Sequence, residues 1–347
     1  MIRLGAVGDV VRTLPAASAL RAACPQAHLA WLVEPDSAPL LESQPWLDEV
    51  IVFPRERLRA SLKRLQGIAL AQAIRRFVQD LRATRFDLVV DFHAILRSGV
   101  LALLSGAPRR ATYAAPFARE GAAWFANEFA KLEPARISRF ERNEGLIRYL
   151  GVSGKPGFEP LQLPVEALER AAKALGAGPA PVAIHPGTSD ETSHKRYTCA
   201  GYAAVAVALA EREGVASIVT CGPARDDRAF AQAVVAASGG SARLAPETPT
   251  LLDLAALLRH CRLYIGGDTG PLHVASLMGT PVLQLMGPTD PVENAPWADT
   301  PSRTVRVQIG CNPCRRGCSV AICMRVISPE SVLEAARELL ATGGGRC

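Results

Sequence analysis

The sequence predicts an α/β protein made of two doubly wound domains that face one another across a cleft. Three observations predict it. Short apolar runs alternate with longer helical segments. The alternation restarts after a Gly/Pro/Ser-rich stretch near mid-chain, and 347 residues at 49% hydrophobic composition suffice for two cores. In the first series, residues 3–7 read as a strand, 13–23 as a helix, 28–34 as a strand and 49–53 as another. A long Arg/Leu/Ala helix follows, then the strand "FDLVVDF" at 86–92. The stretch "LGVSGKPGFEP" at 150–160 reads as a linker, which sets the expected domains at 1–160 and 161–347. The second series places strands at 181–187, 216–222, 262–268 and 280–287, with helices at 200–213 and near 226–237. Strands separated by helices imply parallel sheets with right-handed crossovers. A last helix, 329–341, is free to pack on either domain.

The bulk numbers exclude several classes. No apolar run reaches the roughly 18–20 residues of a transmembrane helix, and "MIRLGAVGDV" lacks the pattern of a signal peptide. A cytoplasmic protein is expected. Nine cysteines, an odd count, fit thiols or metal ligands rather than a fully paired disulfide framework. Net charge is +6, and residues 1–170 carry 23 Lys+Arg against 18 Asp+Glu. That excess suits an anionic partner for the N-terminal half or a mildly basic enzyme. Aromatics are 5% and are not interleaved with the arginines, which argues against a nucleic-acid platform.

The most informative stretch is "YIGGDTGPLHVASLMGTPVLQLMGPTD", residues 264–290. Gly266 and Gly267 let the backbone approach a ligand closely, and Pro271 suits a first helical turn. The N–H groups of Thr269, Gly270 and Leu272 are then expected to point from a helix N-terminus at an anion such as a pyrophosphate, with His273 adding a donor. The alternative is a helix capped by Asp268 or Thr269. Neither G-x-G-x-x-G nor G-x-x-x-x-G-K-[ST] occurs.

At the first strand end, "LGAVGDVVRTLPA" places Asp9 after Gly8. Asp9 reads as the cap of a turn at 10–14, or as a general base for an acceptor hydroxyl. "HPGTSDETSHKRYT" at 185–198 offers Thr188, Ser189, Lys195 and Arg196. Lys195, one of five lysines, is a candidate to neutralise a leaving diphosphate, or a surface lysine. Asp226 and Asp227 in "CGPARDD" are candidates for ribose hydroxyls. The basic run from Arg55 through Arg57 to Arg76, with Arg97 and Arg109–Arg110, reads as a solvated face or as a grip on phosphates and carboxylates. "CNPCRRGCSVAICM" spaces Cys311, Cys314, Cys318 and Cys323 as C-x2-C-x3-C-x4-C. Four such cysteines suit zinc or an iron–sulfur cluster, or stay as thiols. A catalytic metal is not expected.

Taken together, "GDVVRTLPA", "HPGTS…KRY" and "GGDTGPLHVASLMGTPVLQLMGPTD" resemble glycosyltransferase family 9, the ADP-heptose:lipopolysaccharide heptosyltransferases. The resemblance implies a GT-B fold of two Rossmann-like domains and inverting transfer without a required cofactor. It implies Asp9 as base and Lys195 near the diphosphate. Thr188, Ser189, Asp268, Thr269, Gly270, Leu272 and His273 would form the donor site, with Asp226 or Asp227 at the ribose. The donor would be an ADP-sugar. The acceptor would be an anionic lipopolysaccharide precursor, lipid A–Kdo or its heptosylated form, held by Arg55, Arg57 and Arg97 at the inner face of the inner membrane. A member that transfers another activated sugar, or a non-catalytic nucleotide-sugar or polyanion binder, is the alternative. Tyr197 stands where the family commonly has Trp, and His93 where it often has Gln.

Overall fold

Every paired strand among the described residues runs parallel to its neighbour, as crossover helices require. The computed structural model describes residues 1–63, 67–155, 157–188, 190–314 and 317–342; the side chains of 57, 61, 62, 190 and 191 lie outside that description. The chain divides into two units, Met1–Gln162 and Leu163–Cys347.

The first unit contains α1 (Val7–Val11), α2 (Leu14–Ala23), β1 (Ala30–Val33), α3 (Ala38–Glu42), β2 (Glu49–Val52), α4 (Arg55–Lys63) and α5 (Gly67–Ala83). It continues with β3 (Leu88–Val90), α6 (Leu96–Leu104), β4 (Arg109–Tyr113), β5 (Glu128–Ala130) and α7 (Arg139–Tyr149). β1 pairs with β2, and β3–β4–β5 form a second ladder. Ile2 bridges both, to Leu32 and to Asp91. The strand expected at 3–7 is therefore corrected. Only the first few residues run between β1 and β3, and Val7 already opens α1, because the chain turns at Gly5 and Ala6. The pair Arg109–Arg110 opens β4. Arg109 binds Glu128 of the neighbouring strand at 2.6 Å, and Arg110 donates to the carbonyls of Ala107 and Phe125. These two arginines tie strands and loops together.

The second unit contains α8 (Val165–Leu175), β6 (Val182–His185), α9 (Cys199–Glu213), β7 (Ser217–Val219), α10 (Arg225–Ala237), β8 (Ala242–Leu244) and α11 (Leu251–Arg259). After these come β9 (Leu263–Gly267), α12 (Gly270–Leu277), β10 (Val282–Leu285), β11 (Ser302–Val305), α13 (Ile322–Arg325) and α14 (Pro329–Thr342). Its six-stranded sheet has the order β11-β10-β9-β6-β7-β8. Counted within the unit this is 3-2-1-4-5-6 read from the other edge, the Rossmann order, which reverses between β6 and β9. β6, β9 and β10 are buried throughout, as strands covered by helices on both faces must be. Val182, Ile184, Ile265 and Leu283 share one core with Val205 and Leu209 of α9 and with Val332, Leu333, Ala336 and Leu339 of α14. The last helix thus packs on α9 and on the C-terminal sheet. Of the two placements the sequence leaves open, its buried apolar stripe takes the one on the C-terminal unit.

Among the described residues no helix is long and apolar enough to cross a membrane.

Candidate active site

In an open parallel sheet, ligands bind beyond the carboxyl ends of the strands where the order reverses. Here those ends belong to β6 and β9. At the end of β6, His185 is buried and shares a 2.9 Å hydrogen bond with Thr220. Burial first, then Arg196, lowers its pKa to about 4, so it is neutral near pH 7. Thr188 follows at the end of this turn. Its N–H donates to Asp227 Oδ1 at 3.3 Å, and its carbonyl accepts from Arg196 Nη2 at 3.1 Å. Arg196 Nη2 also binds Asp227 Oδ1 at 3.0 Å, and the guanidinium lies 4.8 Å from the centre of the Phe230 ring. Two glycines make room for that carboxylate. A Cβ on Gly222 would stand 2.7 Å from Asp227 Oδ2, and one on Gly187 3.1 Å from the same oxygen.

Asp226, by contrast, is exposed. Helical phase explains the difference. Asp227, Ala231 and Val234 repeat at i, i+4 and i+7 on the buried face of α10, and that pattern distinguishes the two acids in the sequence. Ser189 lies outside the described residues.

Beyond β9 the backbone passes Asp268 and Thr269 and enters α12. Asp268 is buried. Its Oδ2 accepts from Lys195 Nζ at 3.1 Å, and its Oδ1 lies 3.7 Å from Nε2 of the fully buried His273. Gly267 stands close to the Lys195 turn, where a Cβ would meet the Lys195 carbonyl at 3.3 Å. Thr269 occupies the N-cap position in an extended conformation, makes no side-chain cap bond, and is followed by Pro271 in the first turn. The helix start is therefore not closed by its own cap. One expected donor is corrected: the Leu272 N–H is taken by Thr269 O at 3.2 Å. His273 is also enclosed within the unit and faces Asp268.

The N-terminal unit carries a different arrangement. α1 places Asp9 among arginines: it pairs closely with Arg3, with Arg139 at 3.2 Å and with Arg12 at 3.6 Å. The N-cap of α1 is Ala6, so Asp9 does not cap the turn. α7 delivers Arg139 from a helix start fixed by a capping box, in which Ser138 and Glu141 exchange hydrogen bonds. One turn on, Arg142 lies 5.5 Å from the Tyr113 ring centre and 5.7 Å from that of Phe117. Burial works to raise the Asp9 pKa. The guanidiniums of Arg3, Arg12, Arg139 and Arg142 outweigh it and hold the carboxyl well below the usual carboxylate range. This ring of four arginines, scattered over 140 residues, has no local signature in the sequence.

Arg55 and Arg97 converge on Glu34, at 2.9 and 2.8 Å. The side chain of Arg57 lies outside the described residues. Of the four clustered cysteines, Cys311 and Cys318 are exposed, Cys314 is half-buried and Cys323 is buried, all as free thiols. Burial first, then Cys314, Cys318 and Cys311, raises the Cys323 thiol. Among the described residues no three His, Cys, Asp or Glu side chains are grouped to hold a metal ion. The cysteine segment covers the end of β10: Cys314 N–H donates to Pro288 O, and a Cβ on Gly287 would meet Cys323 Sγ at 2.6 Å.

A sequence profile described as glycosyltransferase family 9 (heptosyltransferase) matches residues 74–323. The chain belongs to this family. It is 27% identical over 304 residues to lipopolysaccharide heptosyltransferase 3 of Escherichia coli, covering 84% of each chain. It is 28% identical over 307 residues to lipopolysaccharide heptosyltransferase 1 of Pseudomonas aeruginosa, covering 84% of this chain and 79% of that one. Its α/β fold matches that of E. coli ADP-heptose LPS heptosyltransferase II with a TM-score of 0.73 at 22% identity over 98% of both chains. It likewise matches an E. coli heptosyltransferase solved with ADP, with a TM-score of 0.74 at 20% identity over 97% and 98%. As a member of family 9, the chain is a glycosyltransferase of the heptosyltransferase family.

Proposed function

We propose that this family 9 enzyme transfers a heptose from ADP-heptose to an anionic inner-core acceptor, lipid A–Kdo or its heptosylated form, with inversion at the anomeric carbon. The observation that carries the donor half is the pairing of Lys195 with Asp268 beside the uncapped start of α12, at the strand-order reversal. Helix dipole, backbone N–H groups and an ammonium suit a diphosphate. Thr188, Ser189, Thr269 and Gly270 would complete this site, with Asp227 rather than Asp226 placed to orient the ribose side.

In the reaction, the acceptor hydroxyl oxygen forms a bond to C1 of the heptose while the bond from C1 to the β-phosphate oxygen breaks. ADP leaves with that electron pair, and Lys195 and α12 stabilise the charge it gains. The hydroxyl proton passes to Asp9. A carboxylate held as low as Asp9 is a weak base, so the proton moves as the C1–O bond forms and the hydroxyl becomes acidic. No resident cofactor enters these steps. Arg55, Arg57 and Arg97 are assigned to the acceptor's phosphates or carboxylates, and the enzyme to the cytoplasmic face of the inner membrane.

ADP release from ADP-heptose, measured with and without a Kdo-bearing lipid A acceptor, tests the reading. Acceptor-dependent release that falls at least a hundredfold in Asp9→Asn, with ADP binding kept, is expected. Equal release in Asp9→Asn would refute Asp9 as the base.

A further inference from the structure

The turn after β3, "DFHAILRSG", is held with more care than a connection needs. Asp91 is buried, and its Oδ1 accepts the N–H groups of His93 and Ala94 at 2.9 and 3.1 Å. Its Oδ2 accepts the Ser98 hydroxyl at 2.8 Å. Ala94 is thereby kept at φ +53°, a left-handed conformation that alanine seldom adopts. Strain of this kind persists only where the surroundings over-determine it, and it collects at functional sites.

What the turn presents is His93. Its Nδ1 accepts the Leu4 N–H at 3.3 Å, so in the neutral ring the proton sits on Nε2, which can only donate. Among the described residues Nε2 makes no hydrogen bond, and the ring is half-buried. Arg3 ties this turn to Asp9: its Nη1 donates to Phe92 O at 2.8 Å while its Nη2 pairs with the Asp9 carboxylate. On the other side, the Arg119 N–H donates to Ala94 O at 2.9 Å. The charged groups around the imidazole are Arg3, Asp9, Arg97 and Arg119. Burial first and then Arg3 push its pKa down to about 3, so the ring stays a neutral donor under working conditions.

We propose that His93 is an acceptor-positioning residue: its Nε2–H donates to an oxygen of the acceptor sugar beside the hydroxyl that Asp9 deprotonates. The inference rests on the transfer reading above and assigns His93 no proton of its own to exchange. A donor without charge suits a sugar hydroxyl or ring oxygen, whereas phosphates and carboxylates fall to the arginines.

Two substitutions separate this role from a structural one. Asparagine can replace Nδ1 as the partner of the Leu4 N–H but does not reach the Nε2 position, whereas glutamine reaches it. His93→Asn is expected to raise the acceptor KM about tenfold or more, with the ADP Kd and melting temperature unchanged. His93→Gln should recover most of that loss. An acceptor KM within twofold of wild type in His93→Asn, or equal KM values for the two variants, would overturn the assignment while leaving the transferase reading intact. A wild-type enzyme that transfers nothing to the acceptor would overturn both.

Discussion

Replacing Lys195 with methionine keeps most of the stem and deletes the charge. Nζ lies 3.1 Å from Asp268 Oδ2, and at an effective dielectric of about 20 such a pair attracts by roughly 5 kcal/mol before desolvation is subtracted. Asp268 is buried, so removing the ammonium leaves a buried carboxylate without its nearest cation, at a cost of up to about 3–5 kcal/mol. In the variant that carboxylate also faces the diphosphate. Two losses follow. Turnover should fall by about 10²–10³ because the leaving group loses a stabilising cation, and ADP binding should weaken through repulsion. Asp268→Asn removes only the second effect. The double variant should therefore bind ADP about tenfold more tightly than Lys195→Met alone; with Asp268→Asn near neutral while Lys195 is present, that is a coupling of roughly 1.4 kcal/mol. Calorimetric Kd values for ADP across the four proteins, with turnover from ADP release, measure both. Additive effects, with coupling under about 0.5 kcal/mol, would refute the claim that the pair acts as a unit on the diphosphate.

Other outcomes are as specific. Gly222→Ala places a Cβ 2.7 Å from Asp227 Oδ2; it should displace the carboxylate and weaken ADP binding roughly tenfold, and unchanged calorimetric affinity would remove Asp227 from the donor site. Gly317→Ala combines φ +67° with a Cβ 2.5 Å from the His194 ring, so it should disturb the Lys195 turn and lower turnover; wild-type turnover would show that the turn tolerates the shift. His185 has a folded pKa of about 4 against 6.5, so its contribution is present above pH 6.5 and is lost as pH falls toward 4, to a total of about 3 kcal/mol. Asp91, raised to about 6 chiefly by burial, works the opposite way across the same window. Urea denaturation at pH 7.5 and 5.0 should therefore show a smaller acid loss in His185→Asn than in wild type, and equal losses would contradict the assignment.

The sequence makes the second unit more legible than the first. β6, β9 and β10 are mostly apolar runs followed by Gly, Pro or Asp, so both the strands and the turns that carry Thr188 and Asp268 stand out. β8 (Ala242–Leu244) and β11 (Ser302–Val305) escape notice because edge strands bury little and keep polar residues. β4 is hidden for a related reason: its two leading arginines read as a basic patch, although cross-strand and loop contacts occupy them. The first strand is overextended because Val7 suggests a strand, whereas the turn at Gly5 and Ala6 makes it the first residue of α1. Asp9 and Lys195 are visible as residue types after strands. Their partners are not: Arg139 is 130 positions from Asp9, and Asp268 is 73 from Lys195. Long-range ion pairs leave no periodic trace in a single sequence.

Nucleotide discrimination tests the central claim most directly. The melting temperature should be followed with ADP, ADP-heptose, UDP and GDP, for the wild-type protein and for Gly270→Glu. A ligand at about 100 times its Kd adds roughly 2.7 kcal/mol to the folded state. Stabilisation by the two ADP compounds alone, abolished in Gly270→Glu, is the predicted result. Stabilisation by UDP or GDP instead, or an ADP shift that survives Gly270→Glu, would contradict an ADP-sugar site at the start of α12.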